Sequence, residues 1–193
     1  MGRKILICVD CQYDFIEGGS LLCVDGAREA MNRLVEFIKA HYKEYDLIIF
    51  TADWHLPSHC SFEANGGIWP RHCVEYSQGA AIFQPLLDAL DDVKRDYDVL
   101  TKGCDEDHEE YSIFKNVISC SFLKALNKTN EISIVDVCGI AGDYCVLQTI
   151  DDGLREFPNA TFNVLLPCVA SIDGGKALDN FINENERVTC QHE

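Results

Sequence analysis

Apolar residues along this chain alternate between short continuous runs and stretches with helical spacing. Continuous runs of strand length occupy residues 5–9, 47–51, 97–101, 132–137 and 162–166, as is typical of buried strands. Between them, apolar positions three or four residues apart predict helices over residues 27–42, 85–90, 122–126, 144–156 and 177–183. This alternation predicts an α/β fold: a three-layer αβα sandwich around an open, mostly parallel sheet, with right-handed crossovers.

The length and charge of the chain limit its organisation and its partners. A chain of 193 residues is long enough for one sizeable core, so we expect a single domain over residues 1–193. The formal net charge of −16 argues against nucleic acid or an anionic membrane as a partner, because basic surfaces bind these polyanions. A small neutral or cationic substrate fits better, and the sequence leaves open whether the chain forms a homo-oligomer.

Three features indicate a reduced, cytoplasmic environment. The N-terminal apolar run ends at Asp10 without a small-residue cleavage site, so we expect a strand rather than a signal peptide. No apolar run approaches membrane-spanning length. The eleven cysteines are an odd number without an export signal, which favours free thiols over a disulfide framework. The C-x-x-C spacing of Cys8 and Cys11 is a weak signal without a second such pair.

Polar residues follow four consecutive predicted strands at their carboxyl ends. They are Asp10, the pair Asp53 and His55, Lys102, and the turn at residues 139–145. Ligands of open α/β sheets bind at this edge. Two long segments, residues 53–83 and 103–114, interrupt the alternation, and loops of this length in a compact domain are usually functional. The sequence therefore predicts one site at the carboxyl edge of the sheet.

Cys145 is the candidate nucleophile. Gly139 and Gly142 permit a tight turn after the fourth strand, and a helix is predicted to begin at about Asp143. In the first helical turn, backbone N–H groups and the helix dipole favour a thiolate and can hold an oxyanion. The alternative is a buried structural cysteine, which is the commonest fate of this residue type.

Two further strand-end residues could assist such a thiol. Asp10 could accept the thiol proton, and Lys102 could stabilise both the carboxylate and the thiolate. Each also has an ordinary interpretation, since Asp10 could cap a turn and Lys102 could be solvated.

A metal site is predicted beside this set. Asp53 and His55 stand at i and i+2, so in an extended segment both side chains point to the same side, and His72 could complete the site from the long loop. Such a set suits one divalent transition metal ion, Zn²⁺ first, with Fe²⁺ or Mn²⁺ as alternatives. His59 and Glu63 are further candidate ligands, each more readily explained as a loop or supporting residue. The acidic run at residues 105–110 is expected to be a solvated loop rather than a second metal site.

These motifs resemble the nicotinamidases (pyrazinamidases) of the isochorismatase-like cysteine hydrolases over nearly the whole chain. Residues 10–15 (DCQYDF) with 18–21 (GGSL) are similar to the opening motif, 51–55 (TADWH) with 69–74 (WPRHCV) to the metal site, 101–103 (TKG) to the catalytic lysine motif, and 139–146 (GIAGDYCV) to the nucleophile turn. The resemblance implies the Rossmann-like sheet of that superfamily, with Asp10, Lys102 and Cys145 as catalytic residues and Asp53, His55 and His72 as metal ligands.

The resemblance also implies details that spacing alone does not. The backbone N–H groups of Ala141 and Cys145 would form the oxyanion hole, with a cis peptide between Ile140 and Ala141. The substrate pocket would be lined by Phe15, Trp69 and Tyr111. The expected reaction is hydrolysis of nicotinamide, and also of pyrazinamide, through a thioacyl enzyme in NAD salvage. Gly142 departs from the family pattern, which usually has Thr there.

Two other functions remain open at this point. A related hydrolase could cleave a different small amide or a vinyl ether, since the nucleophile turn alone does not specify the substrate. A non-catalytic metal-binding or small-molecule-binding module with a redox-active thiol would use the same residue types without turnover. The Asp-x-His motif with a distal His is what favours a nicotinamidase within the superfamily.

Overall fold

The computed structural model describes residues 2–16, 20–129 and 131–192. The glycines at positions 18 and 19 of the opening motif therefore lie outside the described residues. The strands are β1 (Arg3–Val9), β2 (Leu47–Asp53), β3 (Asp98–Lys102), β4 (Ile132–Ile140), β5 (Thr161–Ala170) and β6 (Val188–Gln191). The α-helices are α1 (Tyr13–Ile16), α2 (Ala27–His41), α3 (Gln84–Asp92), α4 (Val117–Thr129), α5 (Leu147–Glu156) and α6 (Lys176–Glu184), and a π-helical turn, Gly142–Val146, precedes α5.

The six strands form one sheet in the order β3-β2-β1-β4-β5-β6. Every neighbouring pair is parallel, which confirms the predicted sheet. The chain proceeds from β1 outward to β3 on one side and from β4 outward to β6 on the other. The strand order thus reverses between β1 and β4, and open α/β sheets bind ligands at such a point.

Each face of the sheet carries its own hydrophobic core because successive strand residues point to opposite faces. Leu6 and Cys8 of β1 pack with α2 and α3 on one face. Ile5 and Ile7 pack with α4, α5 and α6 on the other. This is the predicted three-layer αβα arrangement, and a strand buried on both faces explains the continuous apolar runs in the sequence.

The structure adds elements that the sequence pattern did not reveal. Strand β6 lies at the edge of the sheet, and only Val188 of its four residues is buried, so it has no continuous apolar run. Helix α1 has only four residues. Helix α4 begins at Val117, five residues before the predicted start, because its exposed Val117 and Ile118 obscure the helical periodicity.

Two sequence-based expectations, free thiols and no helix of membrane-spanning length, concern the chain as a whole. All eleven cysteines are free thiols, so no disulfide contributes to the fold. Within the described ranges, no helix combines the length and apolar character needed to cross a membrane.

Candidate active site

Lys102, the last residue of β3, lies at the centre of a buried charge cluster. Its Nζ is 2.9 Å from Asp10 Oδ2 and 2.5 Å from Asp53 Oδ1, and it donates a hydrogen bond to Cys145 Sγ at 3.5 Å. Burial alone would lower the pKa of Lys102, but the carboxylates of Asp10 and Asp53 raise it well above its ordinary value. The lysine is therefore a permanent cation between the nucleophile and two carboxylates, which excludes the solvated interpretation.

Asp10 is fixed at the end of β1 by the neighbouring strand. The Thr51 hydroxyl donates to Asp10 Oδ1 at 2.6 Å, and the Asp10 backbone occupies the left-handed region at φ 47°, which a non-glycine residue adopts only when its surroundings enforce it. Burial raises the pKa of Asp10, partly offset by Lys102. One oxygen of Asp10, one of Asp53 and the Cys145 sulfur all lie within 4.8 Å of one another. Asp10 is thus a basic carboxylate beside the thiol.

Cys145 lies in the π-helical turn after β4 rather than in the first turn of an α-helix. The peptide between Ile140 and Ala141 is cis, as the resemblance implied, and both Ala141 and Cys145 line the pocket described below. Burial raises the pKa of the Cys145 thiol well above its ordinary value, and Lys102 only partly opposes this. Desolvation therefore opposes the thiolate that a position at the start of a helix was expected to favour.

A side chain at Gly142 in the nucleophile turn would require the neighbouring side chains to move. A Cβ there would lie 2.1 Å from Ser171 Oγ and 2.9 Å from Val169 Cγ1, so the hydroxyl of Ser171 occupies the volume beside the turn. The next residue, Asp143, accepts hydrogen bonds from the backbone N–H groups of Ile172 and Asp173 at 2.9 and 3.0 Å. The turn is therefore joined to the segment after β5, which accounts for glycine at position 142.

Three side chains beside this cluster fit a metal ion. The ligand atoms of Asp53, His55 and His72 lie within 4.8 Å of one another, and Asp53 Oδ2 is 3.6 Å from His55 Nε2 and 3.9 Å from His72 Nε2. The Nδ1 of His55 donates to Gly103 O at 2.9 Å and that of His72 to Pro70 O at 2.8 Å. Both Nε2 atoms are thereby left as acceptors.

The unpaired Nε2 atom of His55 and the pKa shifts of Asp53 and His72 agree with a cation site. His55 Nε2 is buried and has no hydrogen-bond partner among the described residues, which an ion would supply. Burial opposes ionisation of Asp53, but Lys102 and His55 lower its pKa below the ordinary value. Burial lowers the pKa of His72, so this ring is neutral, as a metal ligand requires. A carboxylate with two imidazoles suits Zn²⁺ or a similar divalent ion.

A short parallel pairing brings the distal histidine to the site. His55 N donates to Cys73 O at 3.0 Å and Glu75 N donates to His55 O at 2.9 Å, so the segment after His72 runs beside the continuation of β2. The Asp14 carboxylate accepts from Cys73 N at 2.7 Å. His55 and His72 are seventeen residues apart in the sequence. These backbone hydrogen bonds, which no residue motif encodes, bring the two histidines together.

The two additional ligand candidates are not part of the metal group. His59 accepts at Nδ1 from Ser61 and donates from Nε2 to His108 O, so neither nitrogen is available, and its ring stacks on His55 with centroids 4.1 Å apart. Glu63 is exposed at the start of a 3₁₀ turn. His59 is therefore a supporting residue and Glu63 a loop residue, the interpretation that the sequence favoured.

One pocket opens onto both the thiol and the metal group, with Cys145, Asp53 and His72 in its lining. Its apolar wall includes Phe15, Trp69 and Tyr111, the three predicted residues, together with Tyr144. Trp69 Nε1 donates to the Tyr111 hydroxyl at 2.9 Å, and the Tyr144 ring packs edge-on against Trp69 with centroids 4.9 Å apart. These rings give the pocket an apolar wall against which the ring of a small ligand could pack.

Several residues of the site were not predicted. Gln12 is buried, and its amide nitrogen donates to Asp53 O while its amide oxygen accepts from Asp53 N. Its position in the opening motif is the sequence feature that could have identified it. Leu22, Val24, Tyr144 and Ile172 line the pocket without any pattern that could have identified them. The expectation of a solvated acidic loop is wrong for Glu109, which lines the pocket, and for Glu110, which is buried.

Comparison with known proteins shows the family of this chain. Residues 4–157 match the family model described as the isochorismatase domain. The chain is 34% identical to the nicotinamidase/pyrazinamidase of Mycobacterium tuberculosis over 157 residues, 79% of each chain. It is 29% identical to the nicotinamidase of Saccharomyces cerevisiae over 175 residues, 76% of this chain and 79% of the relative.

Solved structures show the same fold over the full length. The pyrazinamidase of Pyrococcus horikoshii, solved in complex with zinc, has a TM-score of 0.81 at 28% identity and covers 99% of both chains. L. infantum PnC1, solved in complex with nicotinate, has a TM-score of 0.81 at 29% identity and covers 98% of this chain and 92% of that one. The chain therefore belongs to the isochorismatase domain family, as its motifs predicted.

Proposed function

We propose that this protein is a nicotinamidase that hydrolyses nicotinamide to nicotinate and ammonia, and that it also cleaves pyrazinamide. The observation that carries the proposal is the placement of Cys145, Asp53 and His72 around one aromatic-walled pocket. A nucleophile alone would suit any small amide. A metal group at the same pocket adds a partner for a ring nitrogen, which both carboxamides possess.

Asp10, Cys145 and the turn would perform acylation. Asp10 accepts the proton of Cys145 as the sulfur bonds to the carboxamide carbon, and the backbone N–H groups of Ala141 and Cys145 hold the resulting oxyanion. Lys102 stabilises the two anionic groups beside it. When the C–N bond breaks, Asp10 returns its proton to the leaving nitrogen, so ammonia departs and a thioester remains.

Hydrolysis of the thioester would use the same residues, with a water molecule as the nucleophile and the Cys145 thiolate as the leaving group. Asp10 accepts a proton from a water molecule as the water oxygen bonds to the acyl carbon. The C–S bond then breaks, the thiolate is reprotonated by Asp10, and nicotinate is released. The raised pKa of Asp10 suits this residue to accept and return a proton at neutral pH.

Asp53, His55 and His72 would hold one divalent transition metal ion, for which we propose Zn²⁺, with Fe²⁺ and Mn²⁺ as alternatives. When bound, the ion supplies a Lewis acid for the ring nitrogen of the substrate. Phe15, Trp69 and Tyr111 would pack against the ring and exclude water from it. The zinc in the Pyrococcus horikoshii relative and the nicotinate in the L. infantum relative support these assignments.

The setting of the reaction is part of the same proposal. We place it in NAD salvage in the cytoplasm, carried out by one domain over residues 1–193 and without nucleic acid or membrane partners. The net charge of −16 and the free cysteines support this setting.

An ammonia-release assay tests the function. Purified protein with added Zn²⁺ is expected to release ammonia from nicotinamide, and Cys145→Ala is expected to lose on the order of 10³-fold or more in kcat. Mass spectrometry of the quenched reaction should show a nicotinoyl adduct on Cys145. The proposal is wrong if the wild-type protein releases no ammonia, or if Cys145→Ala matches it. Turnover of a different small amide alone would indicate a related hydrolase.

A further inference from the structure

Glu110 is a buried carboxylate that the proposed mechanism does not use. Its side chain is in the interior of the loop between β3 and α4, and the residue is only 9% exposed. Oε2 accepts hydrogen bonds from Gly103 N at 2.7 Å and from Asn116 Nδ2 at 3.1 Å. No lysine or arginine among the described residues forms an ion pair with it. A buried carboxylate without a cationic partner is costly, so its two bonds call for a functional explanation.

The first bond holds the residue whose carbonyl orients a metal ligand. Gly103 has φ +63°, and a Cβ there would lie 2.4 Å from Cε1 of His55, so the glycine backbone lies directly against the imidazole. The carbonyl of the same residue accepts from His55 Nδ1 at 2.9 Å. Gly103 thus sets both the position of the His55 ring and the tautomer that leaves Nε2 as an acceptor.

The second bond anchors Glu110 to a regular helix. Asn116 precedes α4, and its Oδ1 accepts from Ser119 N at 3.1 Å, as a helix N-cap does. Ser119 Oγ in turn donates to Thr101 O in β3 at 2.9 Å. The carboxylate is therefore held between α4 and the end of β3 rather than by the loop alone.

We infer that Glu110 is a positioning residue for the metal site, acting through Gly103 on His55. The inference rests on the metal group of the proposed function. By accepting from Gly103 N, the Glu110 carboxylate holds the Gly103 backbone in place, and this keeps the Gly103 carbonyl in position to accept from His55 Nδ1 and to direct Nε2 toward the metal. Glu110 accordingly strengthens metal binding without touching the ion or the substrate.

Metal affinity of the purified protein tests this role directly. Zn²⁺ dissociation constants are measured by competition with a chromophoric chelator, and Co²⁺ visible spectra report the geometry of the ligands. Glu110→Ala is expected to weaken Zn²⁺ binding about 10- to 100-fold and to alter the Co²⁺ spectrum. Glu110→Gln keeps one acceptor oxygen for Gly103 N but loses the charge that strengthens this bond, so it is expected to recover only part of the loss. Asp107→Asn, an exposed acid of the same loop, is the matched control and should bind Zn²⁺ as wild type does.

The outcomes separate this inference from the proposed function. Wild-type Zn²⁺ affinity and an unchanged Co²⁺ spectrum in Glu110→Ala would overturn the role of Glu110, while ammonia release by the wild type would leave the nicotinamidase proposal intact. A wild-type protein that binds no divalent metal would instead contradict the proposed function. If circular dichroism shows that metal-free Glu110→Ala is unfolded, Glu110→Gln decides: weaker Zn²⁺ binding than the Asp107→Asn control supports the role, and equal binding overturns it.

Discussion

The ammonium of Lys102 lies 2.9 Å from the Asp10 carboxylate, and both side chains are fully buried. Asp53 approaches the same ammonium from the other side. One cation thus compensates two buried carboxylates at the point where β1 and β3 end. Because a buried charge that loses its partner is penalised more than a surface charge, this arrangement makes stability and catalysis depend on the same side chain.

Lys102→Met is therefore expected to lower the free energy of unfolding by about 3–5 kcal/mol, because it leaves two carboxylates buried without a cation. Urea denaturation of the metal-free protein measures the change. Adding Asp10→Asn to Lys102→Met should restore part of the stability but none of the activity. A loss below about 1 kcal/mol in the single variant would show that the cluster is better solvated than its burial indicates.

Gly142→Ala is expected to displace the nucleophile turn, because its methyl group would collide with the side chain of Ser171. We expect kcat for nicotinamide to fall roughly 10-fold or more, since small displacements of a reacting group are costly. Ser171→Gly alone should change kcat little. The double variant should recover activity relative to Gly142→Ala, and additive effects of the two substitutions would refute a direct steric conflict.

Glu109→Gln is expected to strengthen product inhibition by nicotinate. Asp53 and Glu109 place two carboxylates in the lining of the pocket, and removing one negative charge lessens repulsion of an anionic product. An effect of ~1 kcal/mol for charges a few ångströms apart in solvent-like surroundings corresponds to a roughly fivefold lower inhibition constant. The KM for neutral nicotinamide should change less. Steady-state kinetics with added nicotinate measures both quantities, with Asp107→Asn as control; an unchanged inhibition constant would contradict the prediction.

The stability of the protein is expected to fall at alkaline pH because of Tyr45. Burial and the Asp136 carboxylate, which accepts from the Tyr45 hydroxyl at 2.6 Å, raise its pKa above the ordinary value of 10.0. The unfolded chain therefore loses this proton first, so the stabilisation is present below about pH 10 and decreases as pH rises further. Tyr45→Phe should flatten the decrease between pH 9 and 11 in urea titrations. Tyr76→Phe, an exposed tyrosine, should leave the decrease unchanged.

The sequence by itself determined the parallel sheet and the location of the site. Apolar runs located β1 to β5. The run is continuous in β1, which is buried on both faces, and is interrupted in β3, an edge strand of which only Lys102 is buried. Asp10, Asp53 and Lys102 stand at or just beyond the ends of three neighbouring strands, so sheet geometry alone brings them to one edge. The pair Asp53 and His55 and the nucleophile Cys145 were identifiable because their chemistry depends on residue type at fixed spacing along one strand end or turn.

Only the tertiary structure decided what depends on contacts between distant segments. Whether His59 or His72 completes the metal group follows from backbone pairing between His55 and Cys73, and no local pattern encodes that pairing. Ser171 explains Gly142 only when β5 lies beside the nucleophile turn. Burial and charge also depend on packing. The acidic run was expected to be a solvated loop, but the fold places Glu109 in the pocket and buries Glu110, which binds Gly103 N. Desolvation, which requires the finished fold, likewise raises the pKa of Cys145 against the opposing charge of Lys102.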